Sequence, residues 1–462
     1  MMIRDGVIEI IFLVNWMILI YFFFLSLIYI ILLIASLRDL YERFLESKIG
    51  KITSLLKSYV PPPVSVAICA YNEEDFILNT IDSVLRNSYP NVEILVINDG
   101  STDATLETLI KKFSLYKIFP SVPQRIKTHV EISGYYISKT HPHITVIDKV
   151  NSGKSDALNM AVNVCRTPLF ITLDADSIIE PDALDNIVYC LLRKSHTVAV
   201  GGGVYVINGC EYKDGAIIKA KMSYNPVVDF QTIEYLRSFI FGRTGLNVLG
   251  GAMCFAGTFT LFEYKSLVDA GGFEYGNDAQ DFEIITRLHA EKAERHYPYN
   301  ILYTSSAISW TDVPDTLIKY WKQRFVWQRD ILRSIMQHKK MLFNPKYGIT
   351  GFFTYPFYLF GETLSCLVEF TAYINFFLSW HFDLLEIHLF LHVFFICMGF
   401  LITFTLITTF VSMISFNKYK RTRDLIWVLF LTTIELLGFH QYYVLCRVCA
   451  TVRYFFGRKL KS

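Results

Sequence analysis

The sequence predicts an α/β domain built on a mostly parallel, doubly wound sheet and set between apolar segments able to cross a membrane. Three observations carry this. Short β-branched runs alternate with helix-like segments across residues 63–312. Uncharged apolar stretches lie before and after that region. The 462-residue chain is 52% hydrophobic, with a mean hydropathy of +0.34, too apolar for a soluble protein of this length. Part of it belongs in lipid.

The first apolar stretch is residues 8–37, with an acid at Glu9 and then no charge until Arg38. It exceeds the roughly 20 residues that a spanning helix needs and lacks the small-residue cleavage site of a signal peptide. Residues 38–62 form a basic linker in which Arg38, Arg43, Lys48, Lys51 and Lys57 place the following domain in the cytoplasm. The prolines at 61–63 mark a stiff boundary.

From 63 to 312 the runs "VSVAICA", "VEILVIND", "ITVIDK" and "LFITLDAD" read as strands, and segments 75–87 and 103–114 as helices. Ligands of such sheets bind beyond the carboxyl ends of the strands, where "AYNEE", "NDGSTD" and "DADS" fall. Residues 116–143, with three prolines and three histidines, read as an irregular insertion. Residues 313–347 read as an interfacial helix region. Beyond it, segments 348–378, 387–414 and 425–446 are candidate crossings, and Glu362 and Glu369 inside the first should face protein rather than lipid. The basic tail 447–462 would lie outside after three plain crossings, so either 348–378 is not a single crossing or the last segment is interfacial. The 9 cysteines are scattered, and Cys446 and Cys449 share an apolar segment without a redox-motif context. Free thiols in a reducing compartment follow. A net charge of +2 gives no polyanion-binding signature, so nucleic acid is not an expected partner.

Asp174 and Asp176 of "LDADS" stand two residues apart past a strand end, a spacing that lets two carboxylates share a hard divalent cation with phosphate oxygens. Alone, the pair is weak evidence and reads more readily as a solvated turn capping the next helix. Asp99 either accepts from a ligand N–H or makes a turn with Gly100. Lys154 of "NSGKSDALN" follows a glycine turn ahead of a helix and suits a diphosphate, although the segment is no P-loop.

Taken in order, "AYNEE", "NDGSTD", "GKSDALN", "DADS", "GGAMCFAGTF", "QDFEIITRLH" and "ISWTDVP" followed by "QRFVWQRD" resemble the family 2 glycosyltransferases of GT-A fold. They are most similar to the membrane-embedded branch of cellulose, hyaluronan and poly-N-acetylglucosamine synthases. The resemblance implies a UDP-sugar donor held by Tyr71, Glu73, Asp99, Lys154 and Asp174, with Mg²⁺ or Mn²⁺ on Asp174 and Asp176. It makes Asp281 the general base, with Gln280 where the family usually has Glu. It also implies a polysaccharide or lipid-linked acceptor, contact with membrane lipids, an optional accessory subunit, and a multi-pass location in the cell membrane.

Residues 315–340 carry seven Lys or Arg between 319 and 340 against the single acid Asp330, with apolar positions at helical spacing, the pattern of an in-plane membrane helix. The resemblance seats the family's Q-x-x-R-W block here, with Gln323, Arg324 and Trp327, together with Gln280, on the acceptor and gating side. Val326 stands in place of the block's Arg. Arg329, or else Lys322, projects near the same face and is expected to take over the diphosphate contact. Two function classes follow: an active membrane glycosyltransferase, and a non-catalytic relative acting as a binding or scaffold subunit. A transporter is poorly supported, because the few intramembrane acids form no paired relay.

Overall fold

The computed structural model describes residues 2–49, 60–384 and 421–457, with 395, 399, 402–408, 410, 411, 418 and 419 between them. The candidate crossing 387–414 lies largely outside the described residues, as do 50–59 of the linker and 458–462 of the tail. Helix α1 (Met2–Ile49) contains the stretch Gly6–Asp39, which alone among the described helices is long and apolar enough to cross a membrane. It presents Trp16, Phe23 and Ile34 outward, a surface suited to lipid.

The domain follows as β1 (Val64–Ala70), α2 (Ile77–Leu85), β2 (Val92–Asp99), α3 (Thr105–Phe113), β3 (Leu115–Ile118), β4 (Ile132–Ser138), β5 (Ile144–Lys149) and α4 (Lys154–Val164). Then come β6 (Leu169–Asp174), β7 (Ser177–Ile179), α5 (Ala183–Arg193), β8 (Thr197–Val206) and the hairpin β9 (Glu211–Lys213) and β10 (Ala216–Lys219). Helix α6 (Pro226–Tyr235) runs into a π-helical segment, Leu236–Arg243, and α7 (Thr244–Val248). The domain closes with β11 (Phe259–Glu263), α8 (Tyr264–Asp269), α9 (Gln280–Glu294) and β12 (Asn300–Thr311).

Ten strands make one sheet, in the order β3-β4-β5-β2-β1-β6-β11-β8-β12-β7. The run β5-β2-β1-β6 is parallel. β11 breaks the pattern by pairing antiparallel with both β6 and β8. The 116–143 segment is less irregular than its prolines suggest: β3 and β4 pair antiparallel there and extend the sheet edge beyond β5. Alternation divides the central strands between two cores. Val64, Val66 and Ile68 of β1 join Ile94 and Val96 of β2 on one face, while Ala67, Leu95 and Ile97 pack on the other. Each such side chain contributes roughly 1.5–3 kcal/mol on burial, which is why these strands read as near-continuous apolar runs.

The C-terminal part departs from three plain crossings. Helix α10 (Leu317–Gln337) occupies the interfacial region. Segment 348–378 is interrupted by π-helical turns at Thr350–Thr354 and Phe357–Thr363 before α11 (Ser365–His381). Segment 425–446 is broken too: α12 (Thr422–Glu435) and α13 (Phe439–Phe456) meet at 55°, across Gly438 with its φ of 138°. Both acids do face protein. Tyr29 donates to Glu362 at 2.9 Å, and Glu369 lies 2.8 Å from His440.

β8 carries three successive glycines where it passes between β11 and β12. A Cβ at Gly202 would lie 2.5 Å from the Phe259 ring and 2.9 Å from the Ala307 carbonyl. Ala307 is backbone and cannot step aside, so Gly202→Ala is expected to destabilise the domain by about 1–3 kcal/mol, measured as a lowered unfolding midpoint of the purified protein.

Candidate active site

Four parallel strands end at one edge and deliver the polar residues there. Tyr71 stands half-exposed just past β1. The Glu73 backbone N–H donates to Thr105 Oγ1 at 2.9 Å and Thr102 N–H donates to Asn72 Oδ1 at 2.8 Å, so the loops after β1 and β2 are laced together. Asp99 ends β2, Lys149 ends β5, Lys154 opens α4 and Asp174 ends β6.

Asp99 turns inward. It accepts from Lys149 Nζ, from Ser152 N–H at 3.0 Å and from Gly153 N–H at 2.9 Å. Its engagement is therefore with the loop that presents Lys154, rather than with open space where a base would lie. Lys149 is 1% exposed and also lies 3.6 Å from Asp156, which accepts from His129 N–H at 2.8 Å. Lys149 ends the apolar run "ITVIDK", and a lysine closing a buried strand is the signal that could have marked it.

Lys154 pairs with Asp174. Burial opposes its charge, but the Asp174 carboxylate outweighs burial and holds its pKa above the usual lysine range. Three carboxylates crowd the same edge. Glu73 is pushed up to about 7 by burial and then by Asp174, Asp312 and Asp103. Asp176 is pushed up to about 7 by burial and then by Asp174 and Glu73, with Lys154 opposing. Asp176 accepts from Ser177 at 3.1 Å and Thr311 at 3.2 Å.

This donor set fits a divalent cation. It consists of oxygens alone, and its negative charge exceeds what Lys154 neutralises. No group of three metal-ligating side chains forms among the described residues, so Mg²⁺ or Mn²⁺ on Asp174 and Asp176 would draw further oxygens from a diphosphate and water.

Asp281 lies in the first turn of α9. Burial raises its carboxyl above the ordinary range, and Lys154 and Arg243 oppose the rise. A Cβ at Gly257 would sit 3.4 Å from that carboxyl, so glycine leaves the approach clear. The 250–257 loop is held from behind by His289, which burial lowers to about 4 and which reaches Ala252 O at 2.8 Å. Gln280 is buried, and its amide nitrogen donates to Asp278 O at 2.9 Å.

Helix α10 grips the segment that carries this carboxylate. Asn277 donates to Ser334 at 3.1 Å and Asp278 N–H to Asp330 at 3.2 Å. Arg333 donates to Gly276 O at 2.9 Å, Gln337 to Glu274 at 2.7 Å, and His338 lies 3.3 Å from Glu283. Arg329 belongs to the same grip. Its guanidinium is engaged by Asp330 at 2.7 Å and by Asp278 at 3.4 Å, not by the edge where Lys154 and Asp174 meet. Arg324 is buried, pairs with Glu234 at 2.9 Å and lies 4.4 Å from the Trp327 ring centre. The amide oxygen of Gln323 is enclosed with no hydrogen-bond partner. The structure thus brings Glu73, Lys154, Asp174 and Asp176 together, groups Arg324 with Trp327, and gives Asp99 and Arg329 supporting contacts.

Residues 65–121 and 127–268 match the family described as glycosyl transferase family 2. Over 291 residues the chain is 28% identical to a poly-beta-1,6-N-acetyl-D-glucosamine synthase of Staphylococcus epidermidis, covering 63% of this chain and 60% of that one. Over 264 residues it is 28% identical to the synthase of that name from Staphylococcus aureus, covering 57% and 53%. The chain thus spans a little over half the length of these curated relatives. A mannosyltransferase from Pyrobaculum calidifontis, solved with GDP-Man and Mn²⁺, superposes with a TM-score of 0.51 at 16% identity, covering 94% of this chain and 99% of that one. At that identity the likeness is one of fold, which is GT-A.

Lys149→Met would leave Asp99 and Asp156 buried without their cation. The expected loss is about 3–5 kcal/mol of stability, read from chemical denaturation, whereas Lys154→Met, at a more exposed pair, should cost much less.

Proposed function

From the match of residues 65–121 and 127–268 to glycosyl transferase family 2, we propose that the chain is a member of that family and a membrane-bound, inverting glycosyltransferase. It moves a sugar, N-acetylglucosamine, from a UDP donor to a polysaccharide or lipid-linked acceptor. The observation that carries this reading is the division of the site. An ionisable, half-buried carboxylate, Asp281, stands at one end, and the Lys154–Asp174 pair with Glu73 and Asp176 forms the other.

In this reading the acceptor hydroxyl gives its proton to Asp281 as its oxygen bonds to the sugar's anomeric carbon. The bond from that carbon to the diphosphate breaks on the opposite face, and UDP leaves toward Lys154 and Asp174. Burial suits Asp281 to the task, since a base with a raised pKa takes a hydroxyl proton more readily than an ordinary carboxylate. A cation on Asp174 and Asp176 supplies charge neutralisation to the leaving diphosphate when bound. Tyr71 stands where it would border the uridine, and Asp99 acts by fixing the loop before Lys154. Residues 63–312 form the catalytic unit on the cytoplasmic side, with residues 313–347 on the membrane surface, crossings on either side of the unit, and room for an accessory subunit. The donor sugar is supported by the names of the relatives.

A second, non-catalytic reading has Val326 in its favour, with Arg329 engaged on Asp330 and Asp278 rather than on the edge where Lys154 and Asp174 meet. Turnover separates the two. Purified protein is expected to release UDP from UDP-N-acetylglucosamine, and Asp281→Asn to lower that rate about 10²–10⁴-fold. Because Asp281 must be ionised and its pKa is raised, kcat/KM should fall as pH falls, with its acid limb above the ordinary carboxylate range. No UDP release across a panel of UDP-sugars would establish the scaffold reading instead.

A further inference from the structure

Arg243 is a cation without a counter-charge. It closes the π-helical segment Leu236–Arg243, a widened turn of the kind that recurs at functional sites. Its guanidinium carbon lies 3.3 Å from the centre of the Phe239 ring, and Nη2 is 3.5 Å from Cys254 Sγ. Nη1 is enclosed and has no hydrogen-bond partner, and no carboxylate lies within ion-pair distance among the described residues. Of five donors, it uses one, and that one on a weak sulfur acceptor. Arg243 is half-buried, and its enclosed, unpartnered Nη1 carries a desolvation cost that a hydrogen-bond acceptor would relieve.

Its position says what the missing partner is. Cys254 packs in the cluster that includes Ala279 and Phe282, the residues flanking Gln280 and Asp281. Three residues on, Gly257 leaves the space beside the Asp281 carboxyl. Arg243 and Asp281 therefore flank the 250–257 loop. Arg243's charge is felt at Asp281, whereas those felt most at Asp176 are Asp174, Glu73 and Lys154. The donor's diphosphate already has Lys154 on its side.

We propose that Arg243 is an acceptor-binding residue, its guanidinium donating to an oxygen of the acceptor saccharide next to the hydroxyl that Asp281 deprotonates. This rests on the glycosyltransferase reading above. The ring of Phe239 fixes the guanidinium plane, so the donors are preset rather than recruited.

The test uses the full chain in lipid nanodiscs, with UDP-N-acetylglucosamine as donor and a β-1,6-linked N-acetylglucosamine oligosaccharide as acceptor. Arg243→Gln should raise the acceptor KM about ten- to a hundredfold, the loss of one charged hydrogen bond. The donor KM should stay within about twofold, because uniform binding of the donor is untouched. Arg243→Lys should recover part of the acceptor affinity. An unchanged acceptor KM in Arg243→Gln overturns the inference. So does a parallel rise of both KM values with a lowered unfolding midpoint, which would mark Arg243 as structural. If the wild type releases no UDP while still folded, the glycosyltransferase reading fails and this inference falls with it, an outcome distinct from active protein with an unmoved acceptor KM.

Discussion

The donor end of the site depends on one buried ammonium. Lys149 Nζ sits between Asp99 and Asp156, both largely enclosed, and ties the end of β5 to the end of β2 and to the first turn of α4. Two buried carboxylates without that cation would each carry a desolvation penalty of several kcal/mol. With it, Asp99 is free to accept from two successive backbone N–H groups, which fixes the turn before Lys154. Gly100 completes the arrangement at φ +69°, where a side chain would strike Asn151 N at 2.4 Å. The placement of Lys154 against Asp174 is thus set by charges enclosed behind the loop.

The acceptor end depends on a different device. Helix α10 carries the basic, aromatic stretch around Val326, and its inner face fastens residues 274–283 through Arg329, Asp330, Arg333, Ser334, Gln337 and His338. The helix is itself fixed to α13, where Arg447 donates to Gln328 at 2.9 Å and Tyr442 to Leu317 O at 2.9 Å. The basic, aromatic helix read from the sequence and the helix that grips the Asp281 segment are therefore one object. The arginine near Val326 is engaged on Asp278 and Asp330, on the segment that carries Asp281 rather than at the edge where Lys154 and Asp174 meet.

The four central strands were legible because each is apolar on both faces and ends in polar residues, and that also placed Asp174, Asp176 and Asp99 at one edge. β3 and β4 were not, because one is only four residues long and prolines and Gly134 interrupt the pattern of the segment. The break between α12 and α13 hid inside an apolar run, where Gly438 gives little local signal until its backbone is seen. The role of Lys149 is set by a partner far along the chain, Asp99, 50 residues away. Spacing within a motif cannot show such pairs. Asp281 stood out through its neighbours in "QDFEIITRLH", which is local, whereas its electrostatic setting is not.

That setting divides charge unequally across the site. One edge gathers Glu73, Asp174 and Asp176 against Lys154, and burial, then mutual repulsion, pushes Glu73 and Asp176 up to about 7. At the other end burial raises Asp281 against the charges of Lys154 and Arg243, and Gln280 adds no second negative charge next to it. A divalent cation brought to the first edge would relieve its repulsion. The neutral amide at 280 works in the same direction at the other end, because a carboxylate there would raise the pKa of Asp281 further and leave it protonated over more of the pH range.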